Sequence, residues 1–198
     1  MLTSARGEIK VDNKAMNDIC FSQPHWRLIA GGFDIERWFN DGQGIGNGGI
    51  LFPGREHLKV TNYYYRFANS ISREAQLGSG WWISYDTFNT IRQFAEMNQY
   101  ELTYAARLFL ALPYEWSRLD RLVRAQLIKP MDAYVGEGKV AETEKDKWIP
   151  NQTEKVRQIY IPGLFISPNN TKNLCGIVWS DISINYIPTG SLSELKKA

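Results

Sequence analysis

The sequence predicts an α+β domain, because strand-type and helix-type segments fall in blocks instead of alternating. Residues 58–68 are rich in Val, Thr, Tyr and Phe, two helical patterns follow between residues 86 and 112, and the remainder is mainly strand-like. A βαβ repeat would interleave the two kinds of segment. At 198 residues one domain is expected, large enough to bury roughly two thirds to three quarters of its unfolded surface.

Residues 1–56 read as a loosely ordered leader. Phe33, Ile35, Trp38 and Phe39 could share one helical face, and a flexible glycine-rich stretch fills residues 41–49. The first strand is expected over 58–68. A polar segment, 69–76, leads through Gly78-Ser79-Gly80 into a short strand over 81–84. Ser84 or Asp86 can cap a helix with Phe88, Ile91, Phe94 and Ala95 on one face. Gln99 and Tyr100 mark a break before an apolar helix over 101–112, which Pro113 stops. Residues 119–127 favour strand over helix, 136–146 form a charged loop, and 156–161 form a strand closed by Pro162-Gly163. Residues 174–187 supply one or two further strands, and the tail from 189 is polar.

Composition excludes several classes. A net charge of +2 gives no overall field for nucleic acid or an anionic membrane, although Arg118, Arg121 and Arg124 could form a local basic patch. The apolar run at 108–112 is too short to cross a bilayer, and the first residues do not read as a secretory signal. Cys20 and Cys175 make no disulfide framework, which favours a cytoplasmic setting, including a target-cell cytoplasm reached by delivery. His25 and His57 stand alone, without neighbouring ligands at metal spacing and badly placed as bases for a serine or cysteine hydrolase, so no metal is expected. Gly44-Ile45-Gly46-Asn47-Gly48-Gly49 matches GxGxxG in letters only. A helical pattern precedes it and no helix follows before Pro53.

The informative stretch is Asn62-Tyr63-Tyr64-Tyr65-Arg66-Phe67-Ala68, followed by Gly80-Trp81-Trp82-Ile83-Ser84. An arginine fork grips phosphate or carboxylate, and aromatic faces hold a flat ring. Strand alternation would instead send Tyr63, Tyr65 and Phe67 into a core and leave Tyr64 and Arg66 outside. Both readings stay open on these residues alone.

Taken together, Tyr-Arg-Phe, Gly-Ser-Gly-Trp-Trp-Ile-Ser, an amphipathic helix and a late strand ending Ile161-Pro162-Gly163 resemble the ADP-ribosyltransferase toxin superfamily. The resemblance spans roughly residues 57–187. It implies a core of two small antiparallel sheets with flanking helices around an NAD cleft, placed at 57–190 with a polar tail over 191–198. It implies that Arg66 holds NAD, that Trp82 lies at the pocket floor with Trp81 as substitute, and that Ser84 is the serine of the second motif. Tyr64 or Tyr65 would sandwich the nicotinamide against Trp82. The activity implied is transfer of ADP-ribose from NAD to a macromolecular acceptor, protein or nucleic acid, by a bacterial toxin or effector, with an antitoxin or immunity protein as partner and no membrane.

Counting back from Pro162 puts Gln158 where the family carries its catalytic glutamate. An amide keeps the hydrogen bond to the ribose 2′-hydroxyl and loses the charge that offsets an oxocarbenium-like transition state, a loss of ~10²-fold or more in rate. The carboxylate could be Glu154 or Asp181, position 158 could be a neutralised glutamate, or NAD could be bound without turnover. Two rival readings remain: an NAD glycohydrolase on the same fold, and a non-catalytic interaction or immunity module.

Overall fold

The computed structural model describes residues 13–34, 46–69, 79–119, 121–141, 155–164 and 177–186, the last through their backbone. Four helices and seven strands lie within them. Two helices come first, α1 (Asn13–Phe21) and α2 (His25–Ala30), followed by strands β1 (Ile50–Leu58), β2 (Tyr63–Ala68) and β3 (Trp81–Ser84). Helices α3 (Tyr85–Asn98) and α4 (Leu102–Leu110) come next, then β4 (Arg121–Leu127), β5 (Met131–Gly138), β6 (Arg157–Tyr160) and β7 (Ile177–Tyr186). The α+β class therefore stands. Among the described residues no helix is long and apolar enough to cross a membrane.

The strands join in one antiparallel sheet, ordered β1-β5-β6-β3-β2-β4-β7, and not in the two separate sheets expected. The physical reason is β3, which serves both halves. Its first residues pair with β6 (Trp81 with Tyr160, Trp82 with Ile159), and its last pair with β2 (Ile83 with Tyr65, Ser84 with Tyr64).

One core cluster consists of strand residues from both halves, including Leu58, Tyr64, Trp82, Val123, Met131 and Ile159, together with Ile161 and Leu164; it contains no helical residue. These side chains share one face of the sheet, carried strand after strand through β1-β5-β6-β3-β2-β4. The opposite face is covered by helices. Tyr65, Phe67, Ile83 and Leu122 pack against Phe88 and Ile91 of α3 and Phe109 of α4. Ile50, Tyr134 and Tyr160 pack against Ala30, Phe21 and Trp26 from the N-terminal helices. Tyr63–Ala68 thus has apolar cover on both faces, which simple alternation does not describe.

Several boundaries differ from the sequence reading. Residues 13–58, expected within or beside a leader, hold two helices and β1, which pairs with β5 along most of its length. The single strand expected over 58–68 is two strands joined by a turn at 59–62. The charged loop expected from residue 136 begins inside β5, because Gly136 and Glu137 pair with Gln158 and Arg157. The helical candidate beyond Asp34, the loop at 142–150, Glu154, Cys175 and the tail lie outside the described residues.

Candidate functional site

β2 and β3 pair only through Tyr64–Ser84 and Tyr65–Ile83. Beyond that point β2 continues along β4, Arg66 facing Val123 and Phe67 facing Leu122, while Trp81 and Trp82 continue along β6. The sheet therefore forks between Arg66-Phe67 on one prong and Trp81-Trp82 on the other. A cavity of about 750 Å³ occupies the fork, bordered also by the end of α4, by residues 46–49 and by β6. Cavities of this size accommodate cofactor-scale ligands.

Arg66 lines this cavity and is only partly exposed. Burial lowers its guanidinium to about 10, which leaves it cationic at neutral pH. A desolvated charge in a cleft is a recognised mark of a binding group. The arginine is therefore not the solvated outer side chain that alternation would make it.

The two tryptophans separate. Trp82 is 2% exposed, belongs to the strand-only core and donates its indole N–H to the Ser79 carbonyl at 2.8 Å. It contributes to the cavity wall from within that core. Trp81 is more open and packs on Tyr160, ring centroids 4.8 Å apart at 52°. Burial pushes the Tyr160 phenol well above its ordinary value, so it stays neutral. Trp81, the expected substitute, is thus the freer aromatic face at the fork.

Tyr64 is buried in the inner core with its hydroxyl donating to the Lys59 carbonyl at 3.0 Å, and it does not line the cavity. Burial raises its phenol above the ordinary value. Tyr65 reaches the cavity wall but stacks on Phe88, 4.6 Å and 2° between rings. Neither tyrosine closes a sandwich with Trp82 across the cavity: Tyr64 shares the inner core with it but does not line the cavity, and Tyr65 belongs to the core on the opposite face of the sheet. Ser84 is also absent from the wall. Its hydroxyl accepts from the Thr87 amide at 3.2 Å and caps α3, and Thr87 in turn donates to the Arg157 carbonyl at 3.2 Å. The helix start claims this serine.

Gln158 does line the cavity. Its Nε2 donates to the Leu110 carbonyl at 3.3 Å, and a side chain at Gly138 would meet that nitrogen at 2.3 Å. The adjoining Ile161-Pro162-Gly163 turn is held by Asn17 of α1. This fully buried side chain donates to the Pro162 carbonyl at 2.7 Å and the Asp132 carbonyl at 2.9 Å, and accepts from the Asp132 amide at 2.8 Å. Gly163 has φ +79°, and a Cβ there would lie 2.8 Å from the Asn17 nitrogen. Gly163→Ala is expected to cost about 1–3 kcal/mol, read as a lower melting temperature.

Other parts of the wall carry no site role in the sequence reading. Residues 46–49 border the cavity because Gly49 accepts from Lys139 N at 2.8 Å and Asn47 N donates to Gly32 at 2.8 Å. Glycine is required here by backbone contact, since a Cβ on Gly49 would lie 2.2 Å from Gly32 N. Asp34, beside the Phe33–Gly46 bridge, also lines the cavity. Tyr160 was legible in principle, two residues beyond Gln158 on the same face of a strand.

The remaining candidates fall elsewhere. His57 sits on the exposed flank of β1, its Nδ1 3.0 Å from Asp132 Oδ1, while Arg55 also hydrogen-bonds that carboxylate. Burial tends to raise the Asp132 carboxyl, and the hydrogen bonds from Arg55 and His57 outweigh it, holding it below its usual range. Arg118, Arg121 and Arg124 do not form one basic row: Arg118 is in a loop, and an odd spacing of three in β4 sends Arg121 and Arg124 to opposite faces. Arg124 lies over the Tyr63 ring at 4.8 Å.

The fork thus brings together Arg66, Trp81, Trp82, Tyr65 and Gln158 and leaves out Tyr64 and Ser84. Glu154 lies outside the described residues. No protein-family model, no curated protein and no solved structure matches this chain.

Proposed function

We propose that this protein binds NAD in the fork and acts as an ADP-ribosyltransferase of the bacterial toxin type, passing ADP-ribose to a macromolecular acceptor in the cytoplasm where it operates. The observation that carries the reading is convergence. A desolvated arginine, an accessible indole and a hydrogen-bonding amide from three neighbouring strands line one cavity of cofactor size. Cation, ring face and hydroxyl-binding group are the elements needed for a diphosphate, a nicotinamide and a ribose. In this reading Arg66 grips a phosphate or the nicotinamide ribose, Trp81 carries the ring, and Gln158 faces the ribose hydroxyls.

Purified protein incubated with NAD is expected to release nicotinamide, and NAD is expected to raise its melting temperature. Arg66→Ala should weaken NAD binding about 30-fold, roughly 2 kcal/mol for a charge-assisted contact, while the ligand-free protein stays folded. Neither release nor a thermal shift would leave an interaction module as the better description. Mass spectrometry of extract exposed to the protein separates transfer from hydrolysis: a macromolecule carrying added ADP-ribose indicates the former, free ADP-ribose alone the latter.

A further inference from the structure

We propose that Asp34 supplies the carboxylate of this cavity and that position 158 is built for an amide; this rests on the NAD reading above. Leu110 ends α4, and its carbonyl is one of the last-turn acceptors for which the helix has no internal partner. Gln158 Nε2 meets it at 3.3 Å, over a Gly138 with no side chain to displace that nitrogen. A glutamate at 158 would set a carboxylate oxygen against this carbonyl, at the negative end of the α4 dipole. The amide is therefore matched to its surroundings and is no neutralised remnant. With Nε2 committed to Leu110, Oε1 is left to accept from a sugar hydroxyl.

The negative charge that nicotinamide departure requires must then come from another residue. Among the described residues lining the cavity, Asp34 is the one acidic side chain. Its backbone approach is fixed: Phe33 N donates to the Leu28 carbonyl at 3.0 Å, Gly32 N to Ile29 at 2.9 Å, and Lys139 Nζ donates to the Gly31 carbonyl at 2.5 Å. Asp34 is exposed, so it stands at the lip of the cavity where an acceptor would approach.

The chemistry balances. The electron pair of the ribose C1′–nicotinamide N1 bond leaves with the nicotinamide, whose ring becomes neutral, and positive charge develops on C1′ and the ribose ring oxygen. The Asp34 carboxylate offsets that charge. An acceptor hydroxyl, from water or a macromolecule, adds its oxygen to C1′ and passes its proton to Asp34.

The test compares the intact protein with Asp34→Asn, Gln158→Glu and Glu154→Gln by nicotinamide release, by NAD-induced thermal shift, and by melting at pH 5 and pH 8. Asp34→Asn is expected to lose release ~100-fold while keeping the NAD shift. Gln158→Glu is expected to release no more than the intact protein and to melt lower than it at pH 8. That deficit should narrow at pH 5, where a carboxylic acid O–H can replace the amide donor. Glu154→Gln should retain release. Faster release by Gln158→Glu, unchanged release by Asp34→Asn, or loss confined to Glu154→Gln would each overturn the proposal. So would NAD binding with no release from any of the four proteins. Absence of any NAD shift in the intact protein would overturn the NAD reading itself, which distinguishes the two failures.

Discussion

Trp82→Ala is expected to lower the unfolding free energy by about 4 kcal/mol, whereas Trp81→Ala should cost about 1 kcal/mol and remove the NAD-induced thermal shift. The adjacent residues differ because β3 sends them to opposite faces. Trp82 points into the inner core shared by the two halves of the sheet and is 2% exposed there. Its removal leaves a ring-sized void and strips the Ser79 carbonyl of its donor at 2.8 Å. Trp81 points outward beside Tyr160, where solvent or a ligand can occupy the vacated space. Urea denaturation of both variants, with and without NAD, reads each effect. Loss of the NAD response in Trp82→Ala at undiminished stability would reverse the two assignments.

Arg107→Ala is the second large effect, with an expected loss of about 3–4 kcal/mol. This arginine is 3% exposed in the last turn of α4. One of its terminal nitrogens donates to the carbonyls of Pro113 at 3.3 Å and Leu112 at 3.5 Å, and the other to Ser117 at 2.6 Å. Its guanidinium lies over the Tyr114 ring at 3.9 Å. Burial lowers its ionisation range, the neighbouring tyrosine acting against that shift. Alanine would leave these carbonyls short of donors in a partly buried turn. Leu112, Trp116 and Ser117, which that turn carries, also border the cavity. A weaker NAD response is therefore expected along with the lower stability. Arg107→Lys should recover only part of the loss, because one ammonium cannot span three carbonyls in a planar fork.

Helices with strong punctuation were the most legible part of the fold. Ser84 as cap and Phe88, Ile91 and Ala95 as the buried face of α3 follow from local pattern, as does the break at Gln99, whose φ of +56° ends the helix. Strands were legible where β-branched and aromatic residues clustered, as in Trp81–Ser84 and Arg157–Tyr160. β5 is hidden in the sequence because Gly136, Glu137 and Gly138 imitate a loop, although Gly136 and Gly138 make room there for Ile50 and for Gln158. At the site, Arg66, Trp81 and Gln158 could be named because each sits on a recognisable strand. Asp34 and the 46–49 wall could not, since their position depends on a backbone meeting between Gly32 and Gly49 that no periodicity encodes. Ser84 caps α3 and stays out of the pocket, since helix initiation uses the hydroxyl that the second motif would need.

The bond between Asn17 and Pro162 joins residues 145 apart in sequence, and that separation bears on how quickly the molecule can form. Helix α1 cannot reach its seat until nearly the whole described chain has been synthesised. Of the six strand neighbours in the order β1-β5-β6-β3-β2-β4-β7, only β2–β3 and β5–β6 are consecutive in sequence. Distant pairing of this kind raises contact order and moves folding toward the millisecond-to-second range. Early in synthesis Met16 and Ile19, still 41% and 47% exposed when native, would wait beside unpaired strand edges, the state in which a nascent chain is most prone to aggregate.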